Sequence, residues 1–242
     1  MVHQIVQVHV FRPAETAAAS NRVFEQRAFA RQLDAARSRI QGPETGRTPA
    51  RQTREAREAT APWLRSDAKR ALAASIEHAS DAVGVPPALA VGVAIAESSL
   101  DPTAQAADGL SSGTFQVRPS TAADMRRLIA RGDLPRPPGA EDVSLGIGYL
   151  KYLDGIFSQA TELRQGLETT PVANAAERRL FAVAAFNAGQ GRVATAQARA
   201  AAGGGDPARY EDVRPYLPSI TRTYVDRVSH YAGAPRTAGA PA

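Results

Sequence analysis

The chain has 242 residues, with 29 basic and 24 acidic side chains, four His, one Trp and no Cys. That length suits one ordinary domain with an extra segment, and 43% hydrophobic content is enough for a sizeable core. The absence of Cys excludes a disulfide framework, a thiol nucleophile and any Cys-ligated metal site, and no apolar run approaches the ~18–20 residues a membrane helix needs.

The opening segment, Met1–Phe11, has neither a basic region nor a long apolar run, so it does not read as a secretory signal peptide. Residues 1–65 hold 11 Arg against 6 acidic groups, which places the entire net charge of +5 in the first quarter. Two readings stay open for this segment: a solvated basic tail, or an arm that docks on an anionic partner. Val23, Phe24, Phe29, Leu33 and Ile40 mark one marginal helix, and residues 41–61 offer almost nothing to bury. Residues 1–61 are therefore expected to form a weakly structured basic extension.

Order is expected from Pro62 onward. Ser66 can cap a helix with Leu72, Ile76, Ala79 and Val83 on one face. Gly84 ends it, and Pro86-Pro87 opens a second helix over about 87–99 that is apolar on all sides and so should be central and buried. Its first charge is Glu97, and Asp101-Pro102 stops it. A Gly- and Ser-rich loop leads to Phe115-Gln116-Val117, which suits a short strand or hairpin. Thr121-x-x-Asp124 is a capping-box pattern for a helix to about Ala130. After a Pro-rich loop, Glu141 and Asp142 open a helix bearing Val143, Ile147, Leu150, Leu153 and Phe157. A helix near 176–187 ends at Asn187-Ala188-Gly189, and a Gly-rich loop spans Ala200 to Pro207. The last helix, about 219–231, carries Ile220, Tyr224, Val228 and Tyr231, and residues 233–242 form a Pro/Ala/Gly tail. With no βαβ alternation, the fold class is all-α, mainly helical with room for one small β-hairpin.

Glu97 is the acid of most chemical interest. Burial and a helix C-terminus both disfavour its ionised form, and a carboxylic acid held protonated near neutral pH is suited to general-acid work. The alternative is a Glu that reaches solvent at the helix end. Gln116 and the backbone around Gly113 offer neutral hydrogen-bonding groups, and Phe115 an apolar face, which together suit a sugar; the alternative is a loop whose Gln satisfies its own backbone. His3, His9, His78 and His230 show no metal spacing. No phosphate-binding loop or Gly-x-Ser-x-Gly elbow occurs, and the basic segment lacks the aromatics that nucleic-acid binding favours.

Several segments, in order, resemble the soluble lytic transglycosylases with a goose-lysozyme-like catalytic domain. Ala96-Glu97-Ser98-Ser99-Leu100-Asp101-Pro102 resembles that family's Glu-Ser motif, and Ser112-Gly113-Thr114-Phe115-Gln116 its Gly-Leu-Met-Gln loop. Gly146-x-Gly148-Tyr149-Leu150-x-Tyr152-Leu153 resembles its Gly-x-x-Tyr-Leu helix, and Ala184-Ala185-Phe186-Asn187-Ala188-Gly189 its Ala-Tyr-Asn-Ala-Gly motif. Ile220-Thr221-Arg222-Thr223-Tyr224-Val225 matches its ending. The match covers about 66–231. Phe186 stands where the family usually has Tyr, and Ala106 where it has Ser. Ser-Ser-Gly-Thr-Phe-Gln is similar to a subgroup with members that serve flagellar assembly or phage entry.

The resemblance implies a lysozyme-like domain over 62–232 that cleaves the β-1,4 bond between N-acetylmuramic acid and N-acetylglucosamine of peptidoglycan. Glu97 would act as acid and then base while the muramic 6-hydroxyl closes a 1,6-anhydro ring. Ser98 would orient the Glu97 region, Gln116 and Asn187 would hold sugar groups, Phe115 would pack on a sugar face, and Phe186 and Tyr224 would line the cleft near Glu97. For Asn187 and Tyr224 the alternatives are a helix C-cap and core packing. No metal or cofactor is implied. The expected partners are peptidoglycan glycan strands and, through the basic extension, an envelope assembly protein, in the periplasm or cell envelope. A hydrolytic muramidase and a non-catalytic wall-binding factor are the competing readings.

Overall fold

The computed structural model describes residues 66–106, 109–164 and 166–233. The expectations for residues 1–61, for the start of order at Pro62, for Asp108 and for the C-terminal tail beyond 233 lie outside these. The described residues form eight α-helices and one small sheet: α1 (Asp67–Asp81), α2 (Pro87–Ser98), α3 (Pro119–Ala130), α4 (Glu141–Ile156), β1 (Glu162–Arg164), β2 (Leu167–Glu168), α5 (Ala175–Ala188), α6 (Gln190–Ala202), α7 (Tyr210–Val213) and α8 (Ser219–Gly233). A 3-10 turn, Arg214–Tyr216, separates α7 from α8. No helix among the described residues is long and apolar enough to cross a membrane.

Two compact units divide these residues, with boundaries inside α3, α4 and α8 and in the connection between α3 and α4. The first holds residues 66–122, 136–147 and 227–233; the second holds 123–135 and 148–226.

In the first unit, α1 buries Ala73, Ile76, Ala79 and Ser80. Ser66 precedes it with extended dihedrals, but its side chain makes no cap hydrogen bond. α2 starts on Pro87, whose missing N–H would be an orphan at that position in any case, and it buries Leu89, Ala90, Gly92, Val93, Ala94 and Ile95. Gly92 has a packing reason: a Cβ there would meet the Val228 carbonyl at 3.0 Å and the Ala232 amide nitrogen at 3.1 Å. The residues of α8 therefore approach α2 backbone to backbone. α2 stops at Ser98 because Ser99 and Leu100 turn left-handed, with φ of 56° and 59°, two residues before the expected stop at Asp101-Pro102. Pro119 starts α3, and the Ala122 N–H bonds the Arg118 carbonyl at 2.9 Å. The expected capping box at Thr121 thus lies inside the first turn, since a proline at N1 is a stronger start than a box two residues later.

In the second unit the core is the aromatic row Phe157, Phe181 and Tyr210, with ring centroids 5.8 Å apart at each step. Asn174 caps α5 by accepting from the amides of Ala176 (2.9 Å) and Glu177 (3.2 Å). The buried Gln197 amide ties α6 to the connection before α5: its Oε1 accepts from the Thr170 N–H, and its Nε2 donates to the carbonyls of Thr170 and Pro207. α6 runs through Ala202, so the Gly-rich loop expected from Ala200 begins three residues later. The antiparallel hairpin of this unit pairs β1 with β2. The expected strand at 115–117 is instead part of a turn-rich loop with isolated bridges Gln105–Ser112 and Ser112–Val117. Ile220, expected on the buried face of α8, is 73% exposed, whereas Tyr224 and Val228 are buried.

Candidate functional site

The sequence-predicted residues fall into two groups, one in each unit. In the first unit Glu97 occupies the last turn of α2 and is half-buried. Ser98, its neighbour, is a three-way staple. Its one hydroxyl hydrogen is shared between the carbonyls of Thr114 (2.8 Å) and Ala94 (3.2 Å), and its oxygen accepts from the Asp101 N–H at 3.1 Å. These bonds join the end of α2, the turn after it and the 112–117 loop.

Asp101 is committed to that turn. Its Oδ1 accepts from both the backbone N–H and the hydroxyl of Thr103, each at 2.8 Å. These two bonds hold its carboxyl below the usual carboxylate range, with Lys69 adding a smaller pull.

The loop after Asp101 closes on itself. The Gly113 N–H bonds the Ala104 carbonyl at 2.9 Å. The Gln116 Nε2 donates to the carbonyls of Ala104 (3.0 Å) and Gly113 (2.8 Å). Both amide hydrogens of Gln116 thus serve the loop. Phe115 corrects the sequence expectation: it is 1% exposed and offers no face to a sugar. Its ring is seated on Gly146 of α4, where an added Cβ would lie 2.2 Å from Phe115 Cγ. Sequence reasoning missed Asp142, whose Oδ2 accepts from the Thr114 N–H at 3.1 Å and so anchors this loop to the start of α4. The two acidic residues opening α4 were its only signal.

In the second unit Phe186 and Asn187 lie in the last turn of α5. Asn187 is not the C-cap; Gly189, with φ 84°, holds that position and also begins α6. The Asn187 Oδ1 accepts from the hydroxyl of Thr221, itself 1% exposed, at 2.9 Å. This bond fixes the amide's orientation with its NH2 group outward. Phe186 is half-buried, its ring 5.1 Å from that of Tyr149, which stacks on Tyr152 at 6.4 Å. Tyr224 is 4% exposed, so packing takes nearly all of its surface, and the expected lining role is confined to what little remains. A hollow of about 400 Å³ opens where α5 meets α6, lined by Leu163, Leu167, Gly189, Gln190 and Arg192 among others. Among the described residues no group of three or more His, Asp or Glu is placed to hold a metal.

A family model, the transglycosylase SLT domain, matches residues 74–207. The chain is 30% identical over 159 residues to the membrane-bound lytic murein transglycosylase F of Desulfosudis oleivorans (strain DSM 6200 / JCM 39069 / Hxd3), a match covering 65% of this chain and 31% of that protein. Two solved structures align over 65% and 66% of the chain and 23% of their own lengths. They are the 70 kDa soluble lytic transglycosylase of Escherichia coli (TM-score 0.47, 23% identity) and an inactive mutant of the lytic transglycosylase Slt of Pseudomonas aeruginosa (TM-score 0.46, 20% identity). The chain therefore spans less than a third of the length of the curated relative it matches.

Proposed function

The chain belongs to the transglycosylase SLT domain family, whose model covers more than half of it, and from that premise we propose that it is a lytic transglycosylase acting on peptidoglycan glycan strands in the cell envelope. The observation that carries the reading is Glu97, a single half-buried carboxyl ending an otherwise apolar helix and framed by the Ser98 staple.

In the proposed reaction Glu97 gives its proton to the glycosidic oxygen between N-acetylmuramic acid and N-acetylglucosamine. The C1–O bond breaks and the N-acetylglucosamine side leaves as the alcohol. The 6-hydroxyl of the muramic residue bonds to C1 and loses its proton to the Glu97 carboxylate. Glu97 is regenerated, and the product carries a 1,6-anhydro ring with no water consumed. One residue acting as acid and then base fits the surroundings of Glu97. A two-carboxylate hydrolase needs a second carboxylate across the sugar, and Asp101 is held by Thr103 in its own turn. Asp142 likewise accepts from the loop backbone. Asn187, with its amide oriented by Thr221, is assigned to a sugar acetamido or hydroxyl group, and Gln116 contributes through its carbonyl oxygen. Ser98 acts by holding the Glu97 turn rather than by touching substrate.

The test is mass spectrometry of purified peptidoglycan digested with the full chain and, in parallel, with Glu97→Gln. Fragments ending in 1,6-anhydromuramic acid from the wild type, absent from the variant digest, are expected. Reducing-end fragments would overturn the reading in favour of hydrolysis, and undiminished lysis by Glu97→Gln would remove the assignment of Glu97.

A further inference from the structure

The turn that follows Glu97 is strained. Ser99 and Leu100 both take left-handed backbone, with φ of 56° and 59°, and neither is glycine. An L side chain is disfavoured there because its Cβ crowds the following carbonyl oxygen, and two such residues in succession compound the cost. Backbone in this state persists only where its surroundings hold it. Leu100 is held by packing, at 1% exposed. Ser99 is exposed and has no such packing.

What holds Ser99 comes from another helix. Lys69, in the first turn of α1, donates from Nζ to the Ser99 carbonyl at 2.7 Å. The backbone amide four residues after Ser99, that of Thr103, is spent on Asp101 Oδ1 at 2.8 Å and does not serve this carbonyl. The Lys69 charge also helps to hold the Asp101 carboxyl low, so it steadies the turn at a second point. A cation at this end of a helix is favoured by the partial negative charge of the terminal carbonyls. Arg227 of α8 acts on the other side, donating from its guanidinium to the Ala96 carbonyl at 3.2 Å. Glu97 therefore lies between two peptide carbonyls, each held by a cation from a different helix.

We propose that Lys69 is a positioning residue for Glu97. By holding the Ser99 carbonyl it keeps the left-handed turn closed, and the closed turn fixes the direction of the carboxyl that ends α2. The proposal rests on the assignment of Glu97 as acid and base. A carboxyl that gives a proton and takes one back must keep its place through both halves of the reaction, so loosening its support lowers rate rather than affinity. Lys69 itself touches no substrate.

Lys69→Met keeps the aliphatic stem and removes the donor. On purified peptidoglycan it is expected to lower kcat about tenfold and to leave KM within about twofold of wild type. Lys69→Arg still brings a charged donor to the carbonyl and is expected to recover most of kcat. Ser99→Gly takes left-handed backbone without strain, so Lys69→Met should lower kcat by less in that background. A merely structural lysine would lower Tm and leave kcat well below Tm unchanged. Wild-type kcat in Lys69→Met, a raised KM with kcat kept, or an equal fall in both backgrounds would overturn the proposal. Amide hydrogen exchange reads the turn without any reaction: the N–H groups of Ser99 and Asp101 should exchange about tenfold faster in Lys69→Met, with those of α5 unchanged. Unchanged exchange at Ser99 and Asp101 would also overturn it. Failure of the Glu97 assignment shows separately, as undiminished lysis by Glu97→Gln.

Discussion

Gly146→Ala is expected to destabilise the protein even though it improves helix propensity. In an exposed helix interior, replacing Gly by Ala would stabilise by about 1 kcal/mol. At Gly146 the new Cβ would lie 2.2, 2.5 and 2.6 Å from three atoms of Phe115, more than an ångström inside contact distance. Phe115 is buried and cannot swing into solvent without losing its packing. Overpacking of this kind costs about 1–3 kcal/mol and occasionally more, and the ceiling is set by ejecting the ring, about 3–5 kcal/mol. Setting the propensity gain against these terms leaves a net loss of about 2 kcal/mol. For a domain of 150–250 residues that lowers Tm by about 4–8 °C. Thermal unfolding followed by circular dichroism measures it directly. Combining Gly146→Ala with Phe115→Ala should cost less than the two single changes added together, since both report one contact. A Gly146→Ala variant with a Tm equal to or above wild type would refute the seating of Phe115 on α4 and the account of the loop built on it.

Two further outcomes follow from the turn after Glu97. Ser98→Ala removes the hydroxyl shared by Ala94, Thr114 and Asp101; a loss of about 1–3 kcal/mol in urea unfolding is expected, together with a fall in kcat on peptidoglycan larger than any change in KM, because the turn holding Glu97 loosens. Asp101 has a folded-state pKa below its unfolded value of 3.8, so the stability it contributes is present above that pH and is lost as pH falls through the folded value. Asp101→Asn is therefore expected to flatten the acid limb of a Tm-versus-pH profile while leaving the neutral region lower, and an acid limb as steep as that of wild type would remove Asp101 as its cause.

Much of the fold was legible in the chain because local rules and tertiary demands agree there. α2 reads as buried because it has no polar face, and it is buried; Glu97 reads as its terminal acid, and there it stands. The bounds of α4 and α5 followed from acidic residues at a helix start and from the Asn-Ala-Gly ending. Where two local signals competed, the sequence could not rank them. Pro119 overrode the capping box at Thr121, and left-handed Ser99 ended α2 before Asp101-Pro102 could.

The side chains of the site show the division most clearly. Residue type alone marks Gln116, Phe115, Asn187 and Tyr224 as able to meet a sugar, because each carries an amide or an aromatic ring. Which of them has that capacity left over depends on neighbours far along the chain. Gln116 gives its amide hydrogens to Ala104 and Gly113, Phe115 gives its ring to Gly146, and Asn187 keeps its NH2 because Thr221 takes only its oxygen. The sequence by itself thus determined most of the helices, the family and the place of Glu97 at the end of α2. Tertiary structure decided which polar groups are spent on the fold and which remain for a ligand, because a hydrogen bond or a ring face used inside the protein is no longer there for anything outside it.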